Sequence, residues 1–193
     1  MAVKWTLACA SALMIVLGPG AAQAGQAENP WAELHRPLDL PNVEAGEPCP
    51  VSAVDPRVDW AEARIFGGSG IGRGPAYPGL GSSGGHLEAR PDSLDGSWYF
   101  EKVFWYVLPR YRDRVLIRGR RIDGPGPLRF VDEGRKAPEL RIKRKTDVTW
   151  AGQPNGSRGE PSGVGFRATG CYAVQIDGTN FSRSVVFSAS TPK

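Results

Sequence analysis

Cysteine and histidine, the side chains best suited to nucleophilic and metal chemistry, are scarce in this sequence. Beyond the first 24 residues it holds two cysteines, Cys49 and Cys171, and two histidines, His35 and His86. A cysteine nucleophile needs a free thiol and an imidazole base, and a zinc site needs a cluster of Cys and His ligands. Both histidines lie in turn-rich sequence far from Cys171. We therefore expect no catalytic residue, no metal ligand and no cofactor site.

Serine and acidic residues offer no better pattern for catalysis. A serine triad meets the same shortage of histidine, and no GxSxG elbow stands between a strand and a helix. Acidic residues are numerous enough to supply a glycosidase-like pair, and the candidates are Glu101, Glu133, Glu139 and Glu160. Separation along the sequence does not give the distance between two carboxyl groups. A hydrolase is therefore the least favoured alternative, and each of these glutamates is expected on the surface.

Tryptophan and tyrosine provide the candidates for binding. They combine a large, stiff contact area with a polar edge, and they are enriched in contact surfaces. Most of them are expected in a core, but Trp150 and Tyr77 lie in turn-rich sequence. These two residues are the predicted ligand-contact aromatics.

The first residues have the features of a secretory signal peptide. Lys4 precedes an apolar run over residues 5–17, a Gly-Pro-Gly break follows, and residues 22–24 have the small-x-small pattern of a cleavage site. The run is shorter than the roughly 20 residues that span a bilayer. We therefore expect residues 1–24 to be removed and the remainder to be secreted, extracellular or periplasmic, without a membrane anchor.

Charge divides the remaining sequence into an acidic and a basic part. Residues 25–101 hold twelve acidic and five basic residues, a net charge of −7, whereas residues 110–145 hold thirteen basic and five acidic residues, a net charge of +8. One interpretation of the basic part is a surface for nucleic acid, acidic glycan or anionic lipid. The favoured interpretation is that Arg118 and Arg120 lie on the solvent face of a strand and that the acidic part neutralises them within the chain.

The segment over residues 67–85 is rich in glycine, serine and proline. Closely spaced backbone amides bind phosphate in some loops. Here the lysine of a Walker motif is absent, and the GxGxxG register that starts at Gly70 fails at Pro75. This segment is predicted to be a flexible or irregular surface loop.

From Trp98 onward, short apolar runs alternate with turn signals. The predicted strands cover residues 98–108, 114–122, 128–131, 139–145, 162–168, 171–176 and 181–188. Seven short strands at this spacing favour an all-β fold, an immunoglobulin-like antiparallel β-sandwich over residues 98–189. Residues 25–97 are predicted to form an irregular N-terminal extension. The first strand is apolar on both faces, so we expect this extension to cover its outer face; the alternative is an exposed aromatic patch.

The segment GCYAVQIDGTNF, residues 170–181, predicts a strand followed by a tight Asp-Gly turn. Side chains alternate along a strand, so Tyr172, Val174 and Ile176 are expected to face the core and Cys171 the opposite side. In an oxidising compartment Cys171 is expected to form a disulfide with Cys49. That bond would tie the N-terminal extension to the outside of the sandwich, with a stabilisation on the order of 4 to 5 kcal/mol from the chain-entropy model.

The motifs CPVS, RGRRIDGPG, EPSGV and GCYAVQIDG, in this order, are similar to those of a group of secreted bacterial proteins with no assigned activity. The last motif also resembles the sixth strand of immunoglobulin-like modules, with Tyr172 as the corner tyrosine. Antibody-type domains place a core cysteine two residues after this tyrosine, and Val174 occupies that position here. The resemblance implies a fold and a compartment, but no activity.

Together these features predict a secreted, monomeric, non-catalytic module for binding or adhesion. Its expected partner is a cell-surface protein or carbohydrate, contacted through loops and exposed aromatic residues. A structural or accessory envelope protein that acts through a partner is the alternative. No specific nucleic-acid partner is expected.

Overall fold

The structure is a computed structural model that describes residues 1, 29–44, 46–63, 68–144 and 156–193. The predicted signal peptide, apart from Met1, and Trp150 lie outside the described residues. The strands are β1 (Ala76–Pro78), β2 (His86–Glu88), β3 (Leu94–Asp95), β4 (Trp98–Val107), β5 (Val115–Arg121), β6 (Arg129–Asp132), β7 (Arg135–Ala137), β8 (Glu139–Ile142), β9 (Arg158–Phe166), β10 (Gly170–Gly178) and β11 (Phe181–Ser190). Short helical turns cover Ala32–Leu34, Trp60–Ala63, Gly81–Ser83 and Pro91–Ser93. The prediction of an all-β fold is confirmed.

The strands form two sheets that pack face to face as a β-sandwich. Sheet I has the order β1-β4-β9-β6-β7, and β3 also pairs with β4. Sheet II has the order β2-β11-β10-β5-β8. Neighbouring strands run antiparallel except β2 and β11, which are parallel. The chain passes repeatedly from one sheet to the other, for example between β4 and β5 and between β9 and β10, and residues of both sheets contribute to one core.

Alternation along the strands determines which side chains enter this core. The core-facing residues of β4 and β10 are Val103, Trp105, Val107, Tyr172, Val174 and Ile176. The Tyr172 hydroxyl donates a 2.6 Å hydrogen bond to the carbonyl of Ala168, four residues earlier. This bond joins the start of β10 to the preceding turn. The core orientation predicted for β10 is confirmed.

The predicted boundary of the sandwich before Trp98 requires a correction. Strands β1 and β2, which precede it, pair with β4 of sheet I and β11 of sheet II. The glycine-rich segment predicted to be a surface loop therefore contains a strand, and Ile71, Ala76 and Leu80 within it enter the core. Three-residue strands among glycines and prolines have too little periodicity to be recognised in a sequence.

The outer face of sheet II is covered by residues 36–44 and 46–49 of the N-terminal extension. Cys171 points away from the core and forms a disulfide with Cys49, with a Cα–Cα distance of 5.4 Å. Around this bond a second apolar cluster contains Val43, Ile122 and Val186. The predicted disulfide, and its place outside the core, are confirmed.

The outer face of sheet I is covered at one end by residues 58–60 of the same extension. Tyr106 of β4 packs there with Tyr77 of β1, beneath Val58 and Trp60. The Trp60 ring meets the Tyr77 ring edge to face, with 5.1 Å between the centroids. The expectation that the extension covers the second apolar face of β4 is confirmed for this end of the strand.

The predicted charge pairing between the extension and the basic strands is correct only in part. Asp95 of the extension pairs with Lys136, as expected. Other pairs have the opposite polarity, because Arg36 and Arg90 of the extension contact Asp177 and Glu101 of the sandwich.

Arg118 was expected on the solvent face and is instead covered by the extension. Its guanidinium donates a 2.6 Å hydrogen bond to the carbonyl of Arg36 and a 2.8 Å hydrogen bond to the carboxylate of Asp177. Asp177 lies on the outer face of sheet II with its side chain fully buried. Arg118 therefore neutralises a buried carboxylate of its own sheet, whereas its neighbour Arg120 is exposed.

Candidate anion-binding site

Four arginine side chains converge at one edge of the sandwich. Arg57, Arg73 and Arg183 line two adjoining cavities of about 630 and 510 Å³, and Arg110 lines the second. All four side chains are exposed. We call this feature the arginine groove. Its residues come from four separate segments, which are the N-terminal extension, the loop before β1, the loop after β4 and strand β11.

The position of Arg183 within β11 is unusual for a charged residue. It lies opposite Ile176 of β10, whose side chain is fully buried, and so shares the core-facing side of the strand. Strand β2 pairs with Ser188–Ser190 and leaves the edge near Arg183 without a strand neighbour in the described part of the chain. Arg183 therefore reaches solvent through the open edge between the two sheets.

Gly72 brings the loop that carries Arg73 against β11. Its φ angle is +93°, which favours glycine. A Cβ atom at this position would lie only 2.5 Å from a methyl carbon of Val185. The loop can therefore approach β11 closely only because residue 72 has no side chain, and this approach places Arg73 beside Arg183.

Arg57 is held in place by a buried carboxylate. The guanidinium Nε and Nη2 atoms of Arg57 donate hydrogen bonds of 2.8 and 2.7 Å to the two oxygens of Asp55. The Tyr77 hydroxyl donates a further bond of 2.9 Å to the same carboxylate. The hydrogen bond from Arg57 is the main cause that holds the pKa of Asp55 well below its usual range. The carboxylate of Asp55 is therefore charged, and it fixes the orientation of the Arg57 guanidinium. The Nη1 group of Arg57 does not bond to Asp55.

The other three arginines have no such partner. No carboxylate of the described residues forms an ion pair with Arg73, Arg110 or Arg183. Arg183 donates one hydrogen bond to the carbonyl of Ser182. Because Asp55 neutralises only Arg57, the groove carries an excess of about three positive charges. Arginine donates in a planar fork that matches carboxylate, sulfate and phosphate groups.

One wall of the larger cavity is apolar. Ala53, Val54 and Pro56 line it beside the arginines. The smaller cavity is lined by the four arginines and Gly74. The groove therefore offers guanidinium groups for charged substituents and an adjacent surface for the less polar body of a ligand.

Tyr77, one of the two predicted ligand-contact aromatics, is fully buried, and the expectation that it is exposed is wrong. Proline and glycine around it suggested a turn, but strand β1 places the ring against Tyr106 and Trp60. Its hydroxyl lies below the arginine groove and supports Arg57 through Asp55. Tyr77 is therefore a positioning residue of the groove rather than a contact residue.

The glutamates considered for catalysis have structural partners. Glu139 accepts hydrogen bonds from His35 and Arg141. Burial would raise the pKa of Glu139, but these hydrogen bonds outweigh it and lower the pKa. Glu101 was expected on the surface but is buried, and it accepts a 2.7 Å hydrogen bond from the amide of Arg90. Glu133 pairs with Lys143.

His86 is the histidine closest to a serine hydroxyl. Its two ring nitrogens lie 2.8 and 3.0 Å from the hydroxyls of Ser188 and Ser190, which flank it on β11. A serine triad needs an acidic group on the second nitrogen of the histidine. Here a serine occupies that position, so the arrangement is that of two strands joined by side-chain hydrogen bonds.

Comparison with known proteins gives no match to any family model, curated protein or solved structure. The resemblance to secreted immunoglobulin-like proteins therefore stays a prediction. Among the described residues, no group of three or more His, Cys, Asp or Glu side chains is placed to hold a metal ion. The helices of the described part are all too short and polar to span a membrane.

Replacing Tyr77 by Phe tests the support below the groove. The change Tyr77→Phe removes a buried hydrogen bond to a charged acceptor and should lower the free energy of unfolding by about 1.5 to 3 kcal/mol near neutral pH. Burial, followed by the bond to Asp55, raises the pKa of Tyr77 to about 12, whereas an unfolded tyrosine ionises near 10. Between pH 10 and pH 12 the tyrosine is ionised in the unfolded state but still protonated in the folded state. The free energy of unfolding of the wild-type protein therefore falls with pH in this range, relative to that of the variant.

Urea unfolding of both proteins, near pH 8 and near pH 11, measures this difference. The wild-type advantage should shrink by about 1 kcal/mol for each pH unit above 10. A gap between the two proteins that stays constant with pH would show that the Tyr77 hydroxyl is not held in its protonated form.

Proposed function

We propose that this protein is an exported, non-catalytic binding module that holds an acidic carbohydrate in the arginine groove. The observation that carries the proposal is the convergence of Arg73, Arg110 and Arg183 without a carboxylate partner among the described residues. Like charges repel one another and destabilise a compact state. A cluster of this kind is therefore explained by a bound anion that offsets the repulsion.

Protection of a sheet edge is the structural alternative. An inward-pointing charge on an edge strand hinders pairing with a second chain, and this argument fits Arg183. It does not account for Arg73 or Arg110, which lie on loops outside the sheet edge. An anionic ligand accounts for all of them, and also for the orientation of Arg57 by Asp55.

Export and an immunoglobulin-like arrangement are part of the same proposal. The leader-like first 24 residues and the disulfide between Cys49 and Cys171 support an oxidising compartment outside the cytoplasm. The hydrogen bond from Tyr172 to Ala168 supports the immunoglobulin-like arrangement. In such modules loops at the edges and ends of a rigid sandwich carry the binding residues. An accessory role in the cell envelope is compatible with the same ligand chemistry.

A binding titration with a charged and an uncharged sugar tests the proposal. Galacturonate oligomer, which carries one carboxylate on each sugar, should bind to the oxidised mature protein, and its methyl ester should not. Each of the changes Arg73→Gln and Arg110→Gln should weaken binding about tenfold, because a hydrogen bond to a charged group contributes about 1.5 to 3 kcal/mol. Added salt should weaken it further.

Arg120→Gln is the matched control. Arg120 is an exposed arginine on the outer face of sheet II, away from the groove. Its replacement removes the same charge and should leave the affinity within twofold of wild type. Equal losses for Arg73→Gln and Arg120→Gln would show that binding follows net charge alone and would refute a specific groove.

A further inference from the structure

The end of sheet I that Val58 and Trp60 do not cover carries a second combination of aromatic and basic side chains. Trp98, Phe100 and Lys102 follow one another on the outer face of β4, at the end of the strand that Trp60 does not cover. The rings of Trp98 and Phe100 are half-buried, and Lys102 is exposed. We call these residues, together with Arg129 and Arg167, the aromatic–basic face.

Glycines in the neighbouring strand make this face shallow. Gly165 and Gly163 of β9 lie opposite Phe100 and Lys102. A Cβ atom on Gly165 would lie 2.4 Å from the Phe100 ring. The aromatic ring therefore lies across the backbone of β9, and the strand presents a flat surface instead of a row of side chains.

Cations surround the two rings. The guanidinium of Arg167 lies 4.3 Å from the centroid of the Trp98 ring, and that of Arg129 lies 5.9 Å from it. Lys136 lies over Phe100 and pairs with Asp95. Within the described part of the chain, no carboxylate forms an ion pair with Arg129, Arg167 or Lys102. The face therefore has an excess of positive charge beside flat aromatic surface.

The arginine groove and the aromatic–basic face lie near opposite ends of β4. Strand β4 begins at Trp98, in the aromatic–basic face, and ends at Val107, shortly before Arg110 of the groove. At about 3.3 Å per residue, these two ends are separated by about 30 Å. Lys102, the member of the face nearest to the groove along β4, is exposed.

We propose that the aromatic–basic face is a second contact surface for the same acidic polysaccharide chain, which binds the groove with one section and this face with another. The inference rests on the proposed function and narrows the ligand to a polymer rather than a single sugar acid. Aromatic side chains provide large flat contact area, and the guanidinium groups of Arg129 and Arg167 bind the acidic substituents. Two sites on one chain raise the overall affinity, because the second contact becomes intramolecular.

Shielding of exposed aromatic rings is the structural alternative for these cations. A guanidinium over a tryptophan ring is favourable by itself, at about 0.5 to 1 kcal/mol when exposed. In that case Arg129 and Arg167 would affect stability and leave affinity unchanged. Among the described residues the cation–π pairs at these rings are formed by Arg129, Arg167 and Lys136 and not by Lys102, so shielding does not explain Lys102.

Two galacturonate probes of different length separate the two surfaces. A dimer reaches one surface only, whereas an oligomer longer than about 30 Å reaches both. The oligomer should bind wild-type protein at least tenfold more tightly than the dimer. The double variant Arg129→Gln/Arg167→Gln should bind the dimer as wild type does and should bind the oligomer no more tightly than the dimer. The change Arg73→Gln should weaken the binding of both probes. The control Arg120→Gln should weaken the binding of neither.

The outcomes distinguish this inference from the proposed function. Oligomer affinity that is unchanged in the double variant, with unchanged circular dichroism, would overturn the second surface and leave the groove intact. A dimer that does not bind, or that binds Arg73→Gln and wild type equally, would overturn the groove itself. An oligothymidylate of equal length that binds as tightly as the sugar oligomer would overturn the assignment to polysaccharide.

Discussion

Replacing Cys49 by Ser is expected to lower the free energy of unfolding by about 5 kcal/mol. The disulfide joins residues 122 positions apart, and in the chain-entropy model a loop of this length in the unfolded state contributes a stabilisation of about that size. Many domains have a total stability of only about 5 to 15 kcal/mol. The variant should therefore be unfolded to a measurable extent at moderate urea concentration.

Three proteins together isolate the effect of the bond. Cys49→Ser, Cys171→Ser and the double variant should all unfold at the same urea concentration, since each lacks the same cross-link. The extension should also become sensitive to proteases near Val43, because Val43 packs against Ile122 beside the bond. A loss below about 1 kcal/mol in all three would mean that packing alone holds this part of the extension against sheet II.

The second large effect is expected at Asp177. Its buried carboxylate accepts hydrogen bonds from Arg118 at 2.8 Å and from the Gln175 amide at 2.9 Å, and Arg36 adds a longer contact of 3.4 Å. Asp177→Asn keeps the shape of the side chain and removes the charge. The largely buried guanidinium of Arg118 then loses its counter-ion, which should cost about 3 to 5 kcal/mol.

Asp92→Asn is the control for this measurement. Asp92 lies 3.7 Å from Arg90, and both side chains are mostly exposed. An exposed pair of this kind contributes about 1 kcal/mol or less. Urea unfolding near neutral pH should therefore show a loss of unfolding free energy that is several times larger for Asp177→Asn than for Asp92→Asn. Equal losses in the two variants would contradict the role assigned to Asp177.

Residues 36–39 depend on the same group of side chains. The Gln175 amide donates to the carbonyl of Pro37 and its oxygen accepts from the amide of Asp39, at 3.1 and 2.6 Å. The extension is thus attached to sheet II by hydrogen bonds at one end and by the disulfide at the other. Asp177→Asn should therefore loosen the segment as well as destabilise the sandwich.

The longer strands after Trp98 and the orientation of β10 were predictable because their signals are local. Tyr172, Val174 and Ile176 alternate with less apolar neighbours, and Asp177-Gly178 predicts the following turn. The two cysteines could pair only with each other once the leader was set aside. None of these inferences depends on knowing which segments, distant in the sequence, lie next to each other in the fold.

The arginine groove was not predictable in the same way. Arg57 and Arg73 belong to the part of the sequence with net negative charge, and Arg110 and Arg183 to other segments, so no count along the sequence brings the four together. One signal was present: Arg183 occupies a core-facing position between Phe181 and Val185. A charge at that position of an amphipathic strand indicates an open sheet edge or a site.

Tyr77 shows why local composition misled. Proline and glycine on both sides indicated a turn with an exposed ring, but β1 adds to the edge of sheet I, and the pairing of Tyr77 with Tyr106 decides its environment. Likewise, the alternation of Arg118 with apolar residues correctly placed it on the outer face of its strand. The same pattern could not show that residues 36–39 cover this arginine. Tertiary contacts determined both outcomes.

The four arginines of the groove are expected to bind an anion as one site. Arginine side-chain Nε–Hε resonances, followed by NMR while galacturonate dimer is added to the oxidised protein, test it most directly. The resonances of Arg57, Arg73, Arg110 and Arg183 should shift together with a single dissociation constant, while that of Arg120 stays in place. Shifts spread evenly over Arg112, Arg120 and Arg135, with none in the groove, would contradict the account.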